Sequence, residues 1–473
     1  MRSESSVLIP DAGKILKSNI SRTRGVLSLA LAILPASIPL IVFESPPNGR
    51  IVAIATFCVL LWLLEIVPPF VPTLLLWALI PFALSSFDPK YSLANTLQWS
   101  ADPVLALFFG GFVLAAATRR HGLDKKLALW AFARSGDSFT LILLTTMGLT
   151  AFMSMWISNI AAAALMFACL KPLLTKLDPG DPARRALLVG TAIGANLGGI
   201  ATPIGTGPNA IAMSHLAKTN HITFVDWMTF AFPLTVGLLF AGFLFLLWEF
   251  RRASDNERLK LSLNYFFEDS IQDTPPSTSV ERMGVLLVLG ASVLLWLTEP
   301  FHGMPAAVVA LSAAALLFLF GLLKKGDLAR IDWSTLLLIA GGITIGRLLE
   351  ASGLVSTATQ QLAIANLHPT VALFLICLAS AGLSAIMSNT ATVVMLIPIA
   401  AAFIPQPSTA ILIAVSASFG MPFAISTPPN AMAHGEGGLR SSDLLLPGLM
   451  IMLIGCALVS LTGRFALSLA GIP

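Results

Sequence analysis

Long apolar segments alternate with short polar connections along most of the 473-residue chain. Many of these segments reach the roughly 20 residues that an α-helix needs to cross a bilayer, and the alternating polarity of a membrane β-strand is absent. The pattern therefore predicts an all-α polytopic membrane protein with about 11 transmembrane helices. Continuous helices are predicted near residues 25–43, 51–66, 72–86, 102–118, 229–249, 283–298, 304–322, 334–350 and 444–470.

Four other apolar segments are interrupted by small polar residues. Two of them carry Ser-x-x-x-Ser-Asn, from Ser154 to Asn159 and from Ser384 to Asn389. The other two carry Gly-Thr-Gly-Pro-Asn at 205–209 and Ser-Thr-Pro-Pro-Asn at 426–430. Hydrocarbon does not tolerate unpaired polar groups, so these side chains must face a cavity, an ion or another helix. We interpret the first pair as re-entrant hairpins and the second pair as broken helices.

The two halves of the chain repeat the same landmarks in the same order, at offsets of 221 to 234 residues. This order predicts two repeats of five membrane elements, each with a re-entrant hairpin and a broken helix, preceded by one extra helix. The matched landmarks are Trp62 and Glu65 with Trp296 and Glu299, Gly110-Gly111 with Gly341-Gly342, Gly122-Leu123 with Gly353-Leu354, Ser158-Asn159 with Ser388-Asn389, and Asn209 with Asn430.

Basic loops predict the orientation, because cytoplasmic loops are enriched in Lys and Arg. With a cytoplasmic N-terminus, the loops Arg119–Lys126, Lys176–Arg185, Arg251–Lys260 and Lys324–Arg330 all lie inside. The first hairpin then opens from the inside and the second from the outside. The repeats are therefore inverted, as in many secondary transporters. The predicted divisions are a cytoplasmic arm at 1–24, helix 1 plus the first repeat at 25–249, a cytoplasmic linker at 250–282 and the second repeat at 283–473.

Composition agrees with the membrane assignment. The chain is 56% hydrophobic and only 11% charged, whereas soluble domains are about a quarter charged. The net charge of +4 lies in loops and predicts no nucleic-acid partner. The four cysteines lie in apolar segments without CxxC spacing, so neither a disulfide framework nor a zinc site is indicated. No cleavable signal peptide is evident, because the first 25 residues are polar and basic and the apolar run after them is long enough to span a membrane. The absence of a transit-like N-terminus fits a bacterial inner (plasma) membrane.

The interrupted segments supply oxygen ligands for a cation beside donors for an anion. A spacing of four residues places both hydroxyls of each Ser-x-x-x-Ser on one helix face. Prolines at 203, 208, 428 and 429 free backbone carbonyls, which hard cations prefer. Half-helix N-termini favour an anion. Small residues and prolines also serve close packing and kinks, but their occurrence in four duplicated stretches favours a binding site.

The same stretches resemble those of the divalent anion–sodium symporters, which carry dicarboxylates, tricarboxylates or sulfate. That family has a duplicated Ser-Asn-Thr motif at two hairpin tips and duplicated Pro-Pro-Asn-type loops. Residues 388–390 and 427–430 match these motifs, whereas Ile160 and Gly207 depart from them. The resemblance implies a homodimer in which scaffold and transport domains are interleaved across both repeats. It also implies that the transport domain moves as an elevator.

The resemblance further implies the ligands of two Na⁺ ions and of the anion. The first sodium site comprises Ser154, Ser158, Asn159 and the backbone of Gly205. The second comprises Ser384, Ser388, Asn389 and the backbone of Ser426. The anion is expected to contact Asn159, Thr206, Asn389, Thr390 and Thr427, close to Pro428.

The sequence therefore predicts a secondary transporter in which sodium drives symport of an anion of the di-/tricarboxylate or sulfate class. Two alternatives within transport stay open, namely anion exchange and proton coupling through Glu65 or Glu299. A channel would need a continuous pore, and the blind hairpins argue against one. An enzyme is not predicted, because no His or carboxylate stands at a suitable spacing from the hydroxyl residues. The expected partners are a small anion, sodium, the bilayer and a second copy of the chain.

Overall fold

The computed structural model describes residues 29–469, except 30, 44, 66, 137, 217–221, 251–276, 355–367 and 404–405. Across these ranges the regular structure is entirely helical, which confirms the predicted all-α class. The predicted arm at 1–24 lies outside the described residues. So does most of the predicted linker at 250–282, of which only residue 250 and residues 277–282 are described.

The predicted helices occur in the predicted order, but two helices were not predicted, one at Leu93–Ser100 and one at Leu123–Ser135, where connections were expected from the sequence. The helices of the first half are α1 (Leu31–Val42), α2 (Pro46–Leu63), α3 (Val71–Leu84), α4 (Leu93–Ser100), α5 (Pro103–Arg120), α6 (Leu123–Ser135), α7 (Phe139–Ser154), α8 (Asn159–Leu174), α9 (Pro182–Gly198), α10 (Gly207–Leu216) and α11 (Phe224–Glu249). Those of the second half are α12 (Ser279–Leu297), α13 (Ala306–Leu319), α14 (Trp333–Ala351), α15 (Pro369–Ser384), α16 (Asn389–Phe403), α17 (Pro407–Ala417), α18 (Pro428–Gly435) and α19 (Ser441–Leu469).

Local sequence sets several helix starts. Helix α2 begins at Pro46 rather than near residue 51, because proline in the first turn gives up only an N–H that no helical carbonyl would accept. Capping boxes start α11 at Thr223 with Asp226, and α12 at Thr278 with Glu281. Six described helices are long and apolar enough to span a membrane, namely α2, α5, α11, α12, α14 and α19. The four hairpin helices and α17 are among the shorter apolar helices.

Both hairpins and both helix breaks are present where the sequence predicts them. Helix α7 ends at Ser154, α8 starts at Asn159, and the two helices pack together. Helices α15 and α16 repeat this arrangement around residues 384–389. The chain is unwound between α9 and α10 and again between α17 and α18. The two halves therefore share one order of elements.

The halves pack against each other reciprocally. Helix α9 contacts α18, and its repeat equivalent α17 contacts α10, the equivalent of α18. Likewise α5 packs on α13, and α14 packs on α3. Such exchanged pairs are what a two-fold axis between the repeats produces, as in transporters with inverted repeats. Glycines allow each break to approach its hairpin, since a Cβ at Gly420 would lie 2.5 Å from the Ala381 carbonyl oxygen.

Candidate functional site

The tip of the first hairpin is held by one buried hydroxyl. Oγ of Ser154 lies 2.6 Å from the Ala195 carbonyl of α9 and 2.8 Å from Oδ1 of Asn159. The first contact fixes the tip to the broken helix, and the second closes the tip on itself. Ser158 caps α8, where its Oγ accepts from the N–H of Ala161 at 3.3 Å. Three side-chain oxygens thus cluster beside the N-terminus of α8.

The second tip repeats the first in its hydrogen bonds. Oγ of Ser384 donates to Oδ1 of Asn389 at 2.6 Å, and Ser388 accepts from the N–H of Ala391 at 3.5 Å. Both amide oxygens are therefore oriented by the serine five residues earlier. No hydrogen bond among the described residues uses Nδ2 of Asn159 or Asn389. Each tip therefore has an amide donor available to an anion.

The unwound backbone of each break is held by an asparagine outside the predicted site set. Nδ2 of Asn209 lies 3.0 Å from the Gly199 carbonyl oxygen and 2.8 Å from that of Thr202. In the second repeat, Nδ2 of Asn430 donates to the carbonyls of Met421 and Phe423, both at 2.9 Å. These amides replace the helical hydrogen bonds that the breaks lack, as buried backbone requires. The repeated asparagine was the sequence signal for this role.

The first hairpin and the first break meet at Gly199. A Cβ at this glycine would collide with Oδ1 of Asn159 and would lie 3.1 Å from the carbonyl oxygen of Gly205. Thr202 of the break donates its hydroxyl to the carbonyl of Met155 at the tip. Of the first predicted sodium set, Ser154, Asn159 and Gly205 are thereby brought together, with Ser158 on the same tip.

The second predicted set is divided between the second tip, with Ser384, Ser388 and Asn389, and the turn before α18, with Ser426. A Cβ at Gly420 would lie 2.9 Å from the backbone carbon of Ser384, so the tip and the break are in contact here as well. Ser426 closes its own turn by accepting from the N–H of Phe423 at 3.0 Å. Thr427 caps α18 and is followed directly by Pro428 in the first turn.

A buried amide that the sequence prediction missed joins the two breaks. Nδ2 of Asn196 in α9 donates to Oγ1 of Thr427 at 3.0 Å and to Oδ1 of Asn430 at 3.1 Å. The oxygens Oδ1 of Asn196 and of Asn209 are buried and accept no hydrogen bond from the described residues. Buried polar atoms normally have a partner, and amide oxygens are ligands that hard cations accept. A lone Asn within a Gly/Ala-rich segment was its only signal.

The two repeats also meet across Gly207 and Thr390. A Cβ on Gly207, the first residue of α10, would lie 2.5 Å from Oγ1 of Thr390. The departure at 207 therefore makes room for the hydroxyl of the second hairpin. It brings the N-terminus of α10 beside that of α16. Thr206 directly precedes this contact.

Replacing Gly207 with alanine should test this close approach. Overpacking by the added methyl group should destabilise the protein by about 1–3 kcal/mol. We therefore predict a lower melting temperature in detergent for Gly207→Ala. The double variant Gly207→Ala/Thr390→Ala should recover most of the loss, because the colliding hydroxyl is gone. Gly237→Ala in α11 is the control, since no atom lies within 4 Å of its added Cβ. Equal melting temperatures for Gly207→Ala and Gly237→Ala would contradict the contact.

The two tips differ in what they face. The ring of Trp156 stacks at 6.3 Å on both Phe224 and Trp296, with interplanar angles of 9° and 6°. At the second tip, Ile386 stands in the position of Trp156 and is 65% exposed. A cleft of about 420 Å³ lies there between Ser388 and the segment around Trp62 and Glu65.

The two predicted carboxylates have different surroundings. Glu299 is buried and accepts from the N–H of Phe224 at 3.1 Å, so it caps the first turn of α11. Glu65 is exposed on the 420 Å³ cleft and has a left-handed backbone, with φ of 49°. The structure thus places one carboxylate in a helix cap and the other on an open surface.

A family model described as "Citrate transporter" matches residues 59–417, a stretch that contains both hairpin tips and the first break. The chain belongs to the citrate transporter family. Within the wider divalent anion–sodium symporter superfamily, members of this family are secondary transporters of the membrane rather than enzymes.

Alignments with individual relatives cover most of this chain. An uncharacterized transporter of Methanocaldococcus jannaschii is 32% identical, over 92% of this chain and 97% of the relative. The Na⁺/dicarboxylate cotransporter 3 of Rattus norvegicus is 24% identical, over 92% of this chain and 90% of the relative. The crystal structure of the YdaH transporter of Alcanivorax borkumensis superposes with a TM-score of 0.56 at 15% identity, covering 84% of this chain and 99% of that one. That likeness supports the fold.

Proposed function

We propose that this protein is a sodium-coupled anion symporter whose binding site is built once from each repeat. The observation that carries the proposal is the pair of Ser–Asn tips, each packed on an unwound break held by a buried asparagine. In this proposal, one sodium ion binds at each of these junctions. The buried Oδ1 atoms of Asn196 and Asn209 beside the breaks accept no hydrogen bond from the part of the chain that the structure describes, which fits a bound cation.

The anion is held between the repeats without a basic side chain. None of the four interrupted stretches contains Lys or Arg. The donors are the amides of Asn159 and Asn389, the hydroxyls of Thr206, Thr390 and Thr427, and the first turns of the helices that follow them. Bound sodium ions supply the positive charge, so sodium and anion must raise each other's affinity.

The substrate is a small anion, and the names of two relatives indicate which classes of anion to test. One relative is named a Na⁺/dicarboxylate cotransporter. Another, an inorganic phosphate transporter of Saccharomyces cerevisiae, is 28% identical over 86% of this chain, which spans 45% of that relative. The tips themselves are unequal, because Ile160 is 48% exposed where Thr390 is only 9% exposed. Isoleucine offers no donor, which favours a substrate with a smaller or less polar end on that side.

The variant Ile160→Thr should broaden the substrate range or strengthen dicarboxylate uptake. A hydrogen bond to a charged group contributes about 1.5–3 kcal/mol, so the KM for succinate should fall by about tenfold or more. Ile160→Val, which has a similar shape and no hydroxyl, is the matched control. Unchanged selectivity in Ile160→Thr would refute the assigned role of residue 160.

We also propose that the hairpins and broken helices move together as an elevator within a homodimer. The unequal surroundings of the two tips support this proposal. One tip is docked through Trp156 on Trp296, and the other faces an open cleft at the equivalent Trp62. Exchanging the docked tip and the open tip would move the site across the membrane. The N-terminus is assigned to the cytoplasm of a bacterial inner membrane on the strength of the basic loops.

Cysteine accessibility tests the docking of the tips. Ser388→Cys should react with a water-soluble maleimide faster than Ser158→Cys, because only Ser388 borders the 420 Å³ cleft. Adding Trp156→Ala should speed the labelling of Ser158→Cys by removing the stack, whereas adding Ile386→Ala should leave that rate unchanged. The parent chain gives the background from its native cysteines, which are buried. Equal rates at both tips would refute the docked arrangement.

Uptake into proteoliposomes tests the transport proposal. The panel is succinate, malate, citrate, sulfate and phosphate, each with and without an inward sodium gradient. Sodium-stimulated, saturable uptake is the expected result. Uptake that follows a pH gradient would show that protons rather than sodium drive transport, with Glu65 as the candidate proton-binding carboxylate. Uptake that needs internal anion and ignores sodium would establish exchange instead.

A further inference from the structure

A basic cleft lies away from the hairpins, at the end of α5. Its volume is about 600 Å³, within the range of about 300–1,000 Å³ typical of small-molecule sites. It is lined by side chains from α5, from the 3₁₀ segment Lys325–Arg330 and from the first turn of α12. The charged residues among them are Arg119, Arg120, Glu281, Lys324, Asp327 and Arg330.

Both carboxylates of the cleft are already engaged by neighbouring groups. Asp327 accepts from Arg120 at 2.5 Å and from the N–H of Lys324 at 2.8 Å. Burial alone would raise the pKa of Asp327, but these two donors hold the pKa below its ordinary value, so the carboxylate stays charged. Glu281 accepts from the N–H of Thr278 at 2.7 Å in the capping box of α12.

Asp124 and Asp332 lie near Arg119, but the cleft itself is lined by four basic side chains and two carboxylates, so the net charge of its lining is positive. Among the described residues, neither Arg119 nor Lys324 makes an ion pair within 4 Å. Arg330 approaches Asp327 only at 3.8 Å, and its side chain is 74% exposed. Three basic groups thus border one cleft, and guanidinium groups match the oxygens of a phosphate well.

The walls of the cleft are fixed by a buried histidine. Nε2 of His121 lies 2.8 Å from the carbonyl oxygen of Leu322, and Nδ1 lies 2.7 Å from Oγ of Ser277. His121 therefore joins the end of α5 to the segments that precede Lys324 and α12. Such preorganised walls reduce the conformational entropy that the protein loses when a ligand binds.

An exposed apolar face begins where the cleft ends. Val280 is 81% exposed and Leu287 is 65% exposed on α12, and Met283 lies between them on the same helix face. Glu281 of the cleft belongs to the first turn of the same helix. A ligand that fits both surfaces carries an anionic group and an apolar chain.

We propose that this cleft binds the phosphate headgroup of an anionic membrane phospholipid, with an acyl chain along the exposed face of α12. Basic pockets between membrane helices are known to hold such headgroups. A free phosphate would use the charged cleft but not the apolar face of α12. The site is separate from the proposed transport site and does not depend on it.

Lipid binding by purified protein tests the proposal through native mass spectrometry with phosphatidylglycerol or phosphatidylcholine in mixed micelles. The wild type should retain phosphatidylglycerol preferentially. Arg119→Gln/Arg330→Gln should lower that binding by about tenfold or more, because each basic group near an anionic headgroup contributes about fivefold. The control Lys126→Gln/Arg134→Gln removes the same charge from α6, outside the cleft, and should bind like the wild type.

Competition and oligomeric state distinguish a lipid from a free phosphate and from a dimer contact. Glycerol 3-phosphate and inorganic phosphate, at equal concentration, should not compete with phosphatidylglycerol. Full competition by either compound would show that the cleft binds a free phosphate rather than a lipid. Equal retention of both lipids by the wild type, or equal loss in both double variants, would overturn the site. If Arg119→Gln/Arg330→Gln lost a second copy of the chain rather than lipid in the mass spectrum, the cleft and the exposed face of α12 would be a dimer contact. Melting temperatures without lipid, similar in all variants, exclude misfolding as the cause.

Discussion

Asn209→Ala and Asn430→Ala should each abolish transport and markedly destabilise the protein. Each side chain donates to at least two carbonyls of an unwound segment. Water is scarce at this depth, so alanine leaves those carbonyls buried without a donor. An unsatisfied buried group costs about 1–3 kcal/mol, and the sum should lower the melting temperature in detergent by roughly 5 °C or more.

The matched control for these variants is Asn95→Ala. The Nδ2 of Asn95 also donates to a backbone carbonyl, that of Pro89 at 3.1 Å, but at an exposed position where water can replace it. Its loss should change the melting temperature by about 1 °C or less. If Asn209→Ala were as stable as Asn95→Ala, the asparagine would not be holding the break.

Asn159→Ala and Asn389→Ala should eliminate sodium-stimulated uptake while leaving the fold intact. Each amide oxygen accepts a hydrogen bond from a tip serine, and in the proposed site each Nδ2 donates to the anion, so removing the amide should affect both ligands at once. Losing one hydrogen bond to a charged group costs about 1.5–3 kcal/mol, or roughly 10- to 150-fold in anion affinity. The fold loses only a single side-chain hydrogen bond, for which about 1 kcal/mol is expected.

The contrast between the two asparagine pairs makes this prediction specific. Variants at 209 and 430 should lose stability and transport together, whereas variants at 159 and 389 should lose transport alone. Uptake into proteoliposomes and the melting temperature of the same preparations distinguish the two outcomes. Wild-type uptake in Asn159→Ala would remove this residue from the site.

The sequence predicted the fold well because its repeat is visible in the chain itself. The break residues around Asn209 and Asn430 and the tips at Ser154 and Ser384 lie where the duplicated motifs place them. Proline, glycine and small polar residues inside apolar segments have few roles available in hydrocarbon. Local sequence therefore sufficed to predict the hairpins and the breaks.

Contacts between the repeats could not be predicted in the same way. The bridge from Asn196 to Thr427 joins residues 231 positions apart, and no local pattern marks the partner. The same holds for the stack of Trp156 on Trp296, because an aromatic residue near a tip fits many environments. Gly207 was visible only as a departure from the family motif, and its role became clear from the proximity of Thr390.

The proposed transport site binds sodium and an anion together at the two Ser–Asn junctions. Calorimetric titration of purified protein tests it most directly, using the best-transported anion of the panel with and without sodium, and sodium with and without that anion. Sodium should raise anion affinity by about tenfold or more, and the anion should raise sodium affinity by the same factor. In Asn159→Ala/Asn389→Ala this coupling should disappear. If anion binding by the wild type does not depend on sodium, or if the coupling survives in the double variant, the two junctions do not bind sodium and the anion together.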